Sequence, residues 1–255
     1  MKDIRIYVAA HKKVKQYASD DCYEILHVGA SCHEDDYGYI CDNVGENISK
    51  KNPMYCELTG MYWMWKNAPK SKYIGLCHYR RYPAIHSYSL KPENEILSAA
   101  QLLELLKGVD ILLPEKLKKT EANSFCKSFE QLEKCREYRY IRDTMLEKCP
   151  EYVTTLNDVF MASQMSFGNI FVMSQDNFNA YCKWLFDLLF EIENRIKEKN
   201  DEVPREYGYL SEWMLNVWVQ HNKLKVKYIP TIFTEERHNL KFFMKWLMER
   251  GSIKR

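Results

Sequence analysis

Short apolar, β-branched runs alternate along the chain with stretches whose apolar positions recur at helical spacing. Residues 4–10 and 23–30 are two such runs, separated by a polar connection around 12–20, and both read as buried strands that begin a parallel sheet. Asn52-Pro53 then offers a cap and a first-turn proline, and Met54, Tyr55, Leu58, Met61, Tyr62 and Trp65 follow on one helical face. Residues 73–77 form a third strand running straight into His78-Tyr79-Arg80-Arg81. A helical stretch over 93–107 precedes a fourth strand, 109–113, which stops at Pro114. Residues 169–174 are a fifth strand. After it, Phe178, Tyr181, Leu185, Leu188, Leu189, Ile192 and Ile196 make a core-facing helical stripe. Ser211 is positioned to cap a helix reaching about His221, and 226–229 is the last strand, ending at Pro230. Alternating strands and helices predict an α/β domain over 1–235 with a mostly parallel central sheet flanked by helices. The charged, helical stretch at about 115–160 is expected to be an insertion over one end of that sheet, and 236–255 a basic amphipathic tail.

Composition narrows the picture. Of 255 residues, 46% are hydrophobic and 28% charged, as in an ordinary globular protein, and nine Gly with eight Pro exclude collagen-like or Pro-rich architectures. A formal net charge of +2 gives no global electrostatic footprint for nucleic acid, so no nucleic-acid partner is expected. Nine cysteines are an odd number and none stand in C-x-x-C spacing, which points to a reduced, cytoplasmic setting without a zinc site. The N-terminus enters a strand-like run at once, without the pattern of an export signal. Apolar stretches are interrupted before the roughly 18 residues a membrane span needs, so membrane contact is expected to be peripheral at most. The region 238–255 mixes Leu240, Phe242, Phe243, Trp246 and Leu247 with Lys and Arg, a pattern suited to an anionic bilayer and equally to packing on protein.

The chemistry is defined first by what is missing. No G-x-G-x-x-G, G-x-x-x-x-G-K-[ST], G-x-S-x-G or H-E-x-x-H occurs, which removes the simple readings of dinucleotide, P-loop, serine-hydrolase and zincin chemistry. Nor is there a D-x-D to hold a divalent ion against a diphosphate. At the corresponding strand end stand His78, Arg80 and Arg81. In open α/β sheets ligands sit beyond the carboxyl ends of the strands, and guanidinium groups bind phosphate oxygens bidentately while keeping their charge. Surface pairing with acidic neighbours accounts for the same arginines equally well. His11 and Lys12 follow the first strand. The polar loop 42–49, with Asp42, Asn43 and Asn47, leads into a helix N-terminus suited to a phosphate or nucleoside, or is simply a capped loop. Glu212, next to the expected cap Ser211, reads as a general base kept ionised by the helix dipole. Helix-end electrostatics worth roughly 0.3–1 kcal/mol is the plainer account.

Taken together, Ile4 to Lys12, His27-Val28-Gly29-Ala30, the loop 42–52, Glu57-Leu58-Thr59, Tyr62-Trp63-Met64-Trp65, Gly75-Leu76-Cys77-His78-Tyr79-Arg80-Arg81, Gly168-Asn169-Ile170-Phe171 and Gly208-Tyr209-Leu210-Ser211-Glu212 resemble a bacterial family. It is the glycosyltransferase-like domain of unknown function found in capsular polysaccharide and lipopolysaccharide O-antigen gene clusters, and the likeness spans about residues 4–232. The resemblance implies a GT-A-like fold and a hexosyltransferase. Such an enzyme moves a sugar from a UDP-sugar donor to a lipid-linked surface glycan, and some members are described as galactofuranosyltransferases. It further implies nucleoside and ribose contacts from His11, Lys12, Asp42, Asn43 and Asn47, and His78, Arg80 and Arg81 in place of a metal motif. Asn169 and Glu212 would lie near the acceptor. The expectation is an inverting reaction with no metal and no other cofactor. The rival readings are a non-catalytic nucleotide- or glycan-binding module and another group transferase acting on capsular polysaccharide.

Overall fold

A computed structural model describes residues 2–118 and 128–234. The strand β1 (Ile4–Ala10) is buried on both faces: Ile4, Ile6, Val8 and Ala10 join one apolar cluster, Tyr7 and Ala9 the other. Such a strand belongs at the centre of a sheet covered on both sides. It pairs in parallel with β2 (Tyr23–His27) and with β4 (Tyr73–His78), and β2 carries the short β3 (Ile40–Cys41) on its outer side. Beyond β4 the direction reverses. The strand β9 (Phe171–Ser174) runs antiparallel to both β4 and β6 (Ile111–Pro114), and β6 pairs in parallel with β10 (Val226–Ile229). The sheet order is β10-β6-β9-β4-β1-β2-β3. From its middle, β5 (Arg81–Pro83) turns back off β4 and pairs with β11 (Thr231–Phe233). The strands β7 (Leu117–Lys118) and β8 (Gln164–Met165) make a separate small ribbon. The mostly parallel α/β sheet is thus present, with β9 as its reversed member.

Helices cover the two faces unequally. On one side α3 (Ala99–Leu105), closed by a reciprocal Ser98–Gln101 capping box, places Leu102 against the strands. On the other lie α1 (Asn52–Tyr55), α2 (Leu58–Asn67), α7 (Gln175–Glu198) and α8 (Glu206–His221), which bury the larger cluster. Each large apolar side chain removed from water there stabilises by roughly 1.5–3 kcal/mol. The insertion forms α4 (Phe129–Lys134), α5 (Arg136–Lys148) and α6 (Val153–Met161). It packs on the helical layer, α5 on α7 and α6 on α8, where Phe160 stacks on Trp213 with ring centroids 4.0 Å apart. Among the described residues no helix is long and apolar enough to cross a membrane, and the eight described cysteines are free thiols. The expected basic amphipathic tail, 236–255, and part of the insertion, 119–127, lie outside the described residues.

Three expected elements differ in detail. The helix beginning at Asn52-Pro53 is two helices broken at Cys56, which adopts φ 51° because Asn52 Nδ2 donates to its carbonyl at 2.7 Å and ends the first one. The strand expected over 23–30 ends at His27, since Gly29 turns into the left-handed region at φ 71°. A Cβ there would meet the Asn52 side chain at 2.5 Å. Ser211 is no helix cap. The helix α8 begins five residues earlier at Glu206, and the Ser211 hydroxyl donates to the Gly208 carbonyl inside it at 2.7 Å.

Candidate functional site

The strands β1, β2 and β4 finish level with one another, Ala9 opposite His78 and Ala10 opposite His27. Beyond their ends opens a cavity of about 520 Å³. Its first wall is the turn between β4 and β5, where Tyr79 and Arg80 connect His78 to Arg81. The buried Tyr79 ring gathers the neighbouring cations. The His11 ring meets it edge-on at 5.5 Å, the Lys12 ammonium lies 5.3 Å from its centroid, and the Arg80 guanidinium lies 4.9 Å away. Arg81 sits 5.1 Å over Phe233, which also lines the cavity. Contacts of this kind contribute about 0.5–1 kcal/mol each at exposed positions, enough to orient long side chains. Thr234 fastens the turn from behind, its N–H donating to the Arg80 carbonyl at 3.1 Å and its hydroxyl to the Tyr79 carbonyl at 3.0 Å.

The facing wall holds two carboxylates. Burial pushes Glu212 up to about pKa 7, and the charge of Glu57 adds to the rise. Arg81, the Gly168 backbone N–H and Arg205 act against it. The helix dipole is therefore not what sets the state of Glu212, which lies well inside α8 and is half-buried. Glu57 follows the left-handed Cys56 and is held by Asn169, whose Nδ2 donates to Glu57 Oε1 at 2.7 Å and to Ser211 Oγ at 2.8 Å. Asn169 itself is left-handed at φ 50° and buried. Beside it Gly168, at φ 91°, links the two walls: its carbonyl accepts from His78 Nε2 at 2.5 Å and its N–H faces Glu212. A Cβ at Gly168 would lie 3.1 Å from Arg81 Nη1.

The protonation of the histidines follows from their surroundings. Burial lowers the His78 pKa, Arg81 lowers it further, and only Glu57 and the Gly168 carbonyl oppose this, so the imidazole is neutral at physiological pH. His78, expected with Arg80 and Arg81 in place of a metal motif, lines the cavity as a donor engaged with the Gly168 carbonyl, and the fixed positive charge there is that of the arginines. His11 is lowered by burial and then by Arg80 and Lys12.

His11, His78, Arg80, Arg81 and Glu212 thus share one cavity, Lys12 stands behind it on Tyr79, and Asn169 reaches it through Glu57. Asp42, Asn43 and Asn47 do not line it. Asp42 is fully buried, accepting from the Gly29 and Ala30 N–H groups at 2.8 and 3.0 Å and from Ser49 Oγ at 2.5 Å. Asn47 closes its own loop, donating to the Asn43 and Gly45 carbonyls and accepting from the Ser49 N–H. Their work in the structure is to shape the turn that brings Val28 and Asn52 to the wall. Sequence reasoning gave no role to Arg205, Cys56 or Phe233, and named Glu57 only within a motif. No sequence pattern marked Glu57, since the apolar spacing runs unbroken through 54–65; for Arg205 the usable signal was the Pro204-Arg205 pair before a helix.

The comparisons with known proteins bear on the fold and the family. The apo structure of WbbM, a bifunctional glycosyltransferase, superposes with a TM-score of 0.79 at 29% identity, covering 92% of this chain and 46% of that one. The chain therefore spans about half the length of the structure it resembles. No curated protein matches it. A family model matches residues 5–223, which takes in every described lining residue of the first cavity except Phe233, so the chain belongs to the family described as Domain of unknown function (DUF4422).

Proposed function

We propose that this protein is a glycosyltransferase that moves a sugar, galactose or galactofuranose being the first to test, from a UDP-sugar to a hydroxyl of a lipid-linked surface glycan. The reaction proceeds with inversion and without a metal ion. The observation that carries the reading is the convergence of opposite charges on a single cavity: Arg80 and Arg81 line it together with Glu212 and Glu57. In such a site the acceptor oxygen attacks the anomeric carbon as the bond from that carbon to the diphosphate breaks. Glu212 takes the acceptor proton, and the two guanidinium groups receive the charge that develops on the leaving diphosphate. A carboxylate titrating near neutrality suits this task, because it is ionised often enough to accept a proton and basic enough to hold it. His78 aligns Gly168, and through it Glu212, and Asn169 keeps Glu57 in place. Similarity to a bifunctional glycosyltransferase supports the reaction class.

The test is a screen of UDP-sugars with a lipid-linked acceptor in the presence of EDTA, reading free nucleoside diphosphate against glycan product. Arg80→Ala is expected to lower turnover on the order of 100-fold, the usual cost of one charge-stabilising donor, with the fold intact. Transfer that survives this substitution, or that collapses in EDTA with the native chain, overturns the mechanism. Binding of UDP without release of product in stoichiometric proportion would instead identify a non-catalytic binding module.

A further inference from the structure

A second cavity, of about 350 Å³, lies at the β10 edge of the sheet. It is joined to the first by one continuous seam. Along α8, Glu212, Asn216 and Gln220 succeed one another at intervals of four and so share a helical face. Glu212 lines the first cavity, Asn216 and Gln220 the second. The segment 164–168 runs beside this face. Gly168 borders the first cavity, Ser166 is bonded to Asn216 in both directions, its N–H to Oδ1 at 3.2 Å and its carbonyl from Nδ2 at 2.9 Å, and Gln164 lines the second. Asn216 Nδ2 also donates to the Glu212 carbonyl at 2.8 Å, so the seam is stitched at its midpoint. From Glu212 to Gln220 the helix rises roughly 12 Å, the span of a short oligosaccharide.

The walls have the chemistry of a sugar site. Tyr228 is 41% exposed, with the Lys116 ammonium over its ring, 5.0 Å from the centroid. Gln164 and Gln220 are exposed, and each presents an amide donor and acceptor suited to neighbouring hydroxyls. Lys116 and Lys223 are the charged groups on the wall and no carboxylate stands among them, which favours a neutral or anionic glycan over a cationic one. A donor nucleotide occupies much of a cavity the size of the first, because small-molecule sites of this size bury most of their ligand. The sugars of a growing glycan behind its reacting unit must then lie outside it.

We infer that the second cavity is a subsite for the acceptor glycan, holding the sugar units that trail the reacting one past the closed Ser166–Asn216 contact. This rests on the transferase reading, and the test separates the two. The full chain is applied to an array of capsule and O-antigen oligosaccharides graded from one to several repeat units, while UDP binding is read by thermal shift. The native chain is expected to retain the longer fragments better than single units. The double variant Tyr228→Ala/Gln220→Ala is expected to lose about tenfold in that retention, with its melting temperature and UDP shift unchanged. Retention equal across lengths, retention unaffected in the double variant, or no retention of any fragment by the native chain each overturns the subsite. If glycans bind through Tyr228 and Gln220 but UDP gives no shift, the groove stands and the transferase reading falls. If the double variant melts early, Lys223→Glu at the rim replaces it, with the same outcomes expected for anionic fragments.

Discussion

Glu212 is the residue on which stability and chemistry pull in opposite directions. In the unfolded chain its carboxyl ionises near the ordinary 4.5, whereas in the folded protein it holds its proton up to about pH 7. Between these values the folded state binds more protons than the unfolded one, so Glu212 makes stability fall as pH rises from 4.5 to 7, and the loss persists above that window. Glu212→Gln, which mimics the protonated acid, is therefore expected to raise the melting temperature by a few degrees in alkaline buffer. The gain should vanish as pH drops to about 4.5. A variant no more stable than the native chain at high pH would show that the carboxyl is not held in this way. The same residue shows where sequence reasoning stops. His11, His78, Arg80 and Arg81 were legible because each follows an apolar strand run that ends where a ligand would begin. Glu212 was named for a helix end that lies elsewhere, whereas burial acts on it most, and the Glu57 charge and Gly168 N–H that act beside burial stand 155 and 44 positions away in the chain.

At the level of elements, the entrance to α8 is held by an ion cluster. Arg136, at the start of α5, pairs with the buried Glu206 and donates from Nε to Asp201 at 2.7 Å, while the Tyr140 hydroxyl donates to the same carboxylate at 3.0 Å. One residue before Glu206 stands Arg205, left-handed at φ 64°, with its N–H bonded to the Pro53 carbonyl and its side chain at the cavity. Removing one partner of a buried pair leaves an uncompensated charge, so Arg136→Ala is expected to cost about 3–5 kcal/mol by urea unfolding. Arg136→Met with Glu206→Leu should recover most of it. If the double variant is as weak as the single, the cluster is not a coupled pair. Helix periodicity found α2 and α7, because each buries a wide apolar stripe, whereas α8 was read from Ser211 as a cap and its first five residues were missed. Periodicity missed the break at Cys56, which arises from one side-chain amide, Asn52, capturing a carbonyl four residues ahead.

On the scale of the molecule, near-neutral net charge conceals a local imbalance. The chain totals +2, yet Arg80, Arg81 and Arg205 converge on one cavity opposite two acids, one of which titrates near neutrality. The affinity for UDP is expected to fall several-fold as salt rises from about 0.1 to 1 M, since the screening length shrinks from about 10 to 3 Å. An affinity indifferent to salt would place the diphosphate away from these guanidinium groups. The α/β class and the strand ends could be read from alternation alone. The reversal of β9 could not, because an apolar run of four residues looks the same in either direction.

That reversal also decides which parts of the chain meet at the cavity. Because β9 points the opposite way, its beginning, not its end, meets the tips of β1 and β4, and Gly168, from late in the chain, comes against His78 and Arg81, from early in it. Lining residues from both halves of the chain are needed to enclose the one cavity.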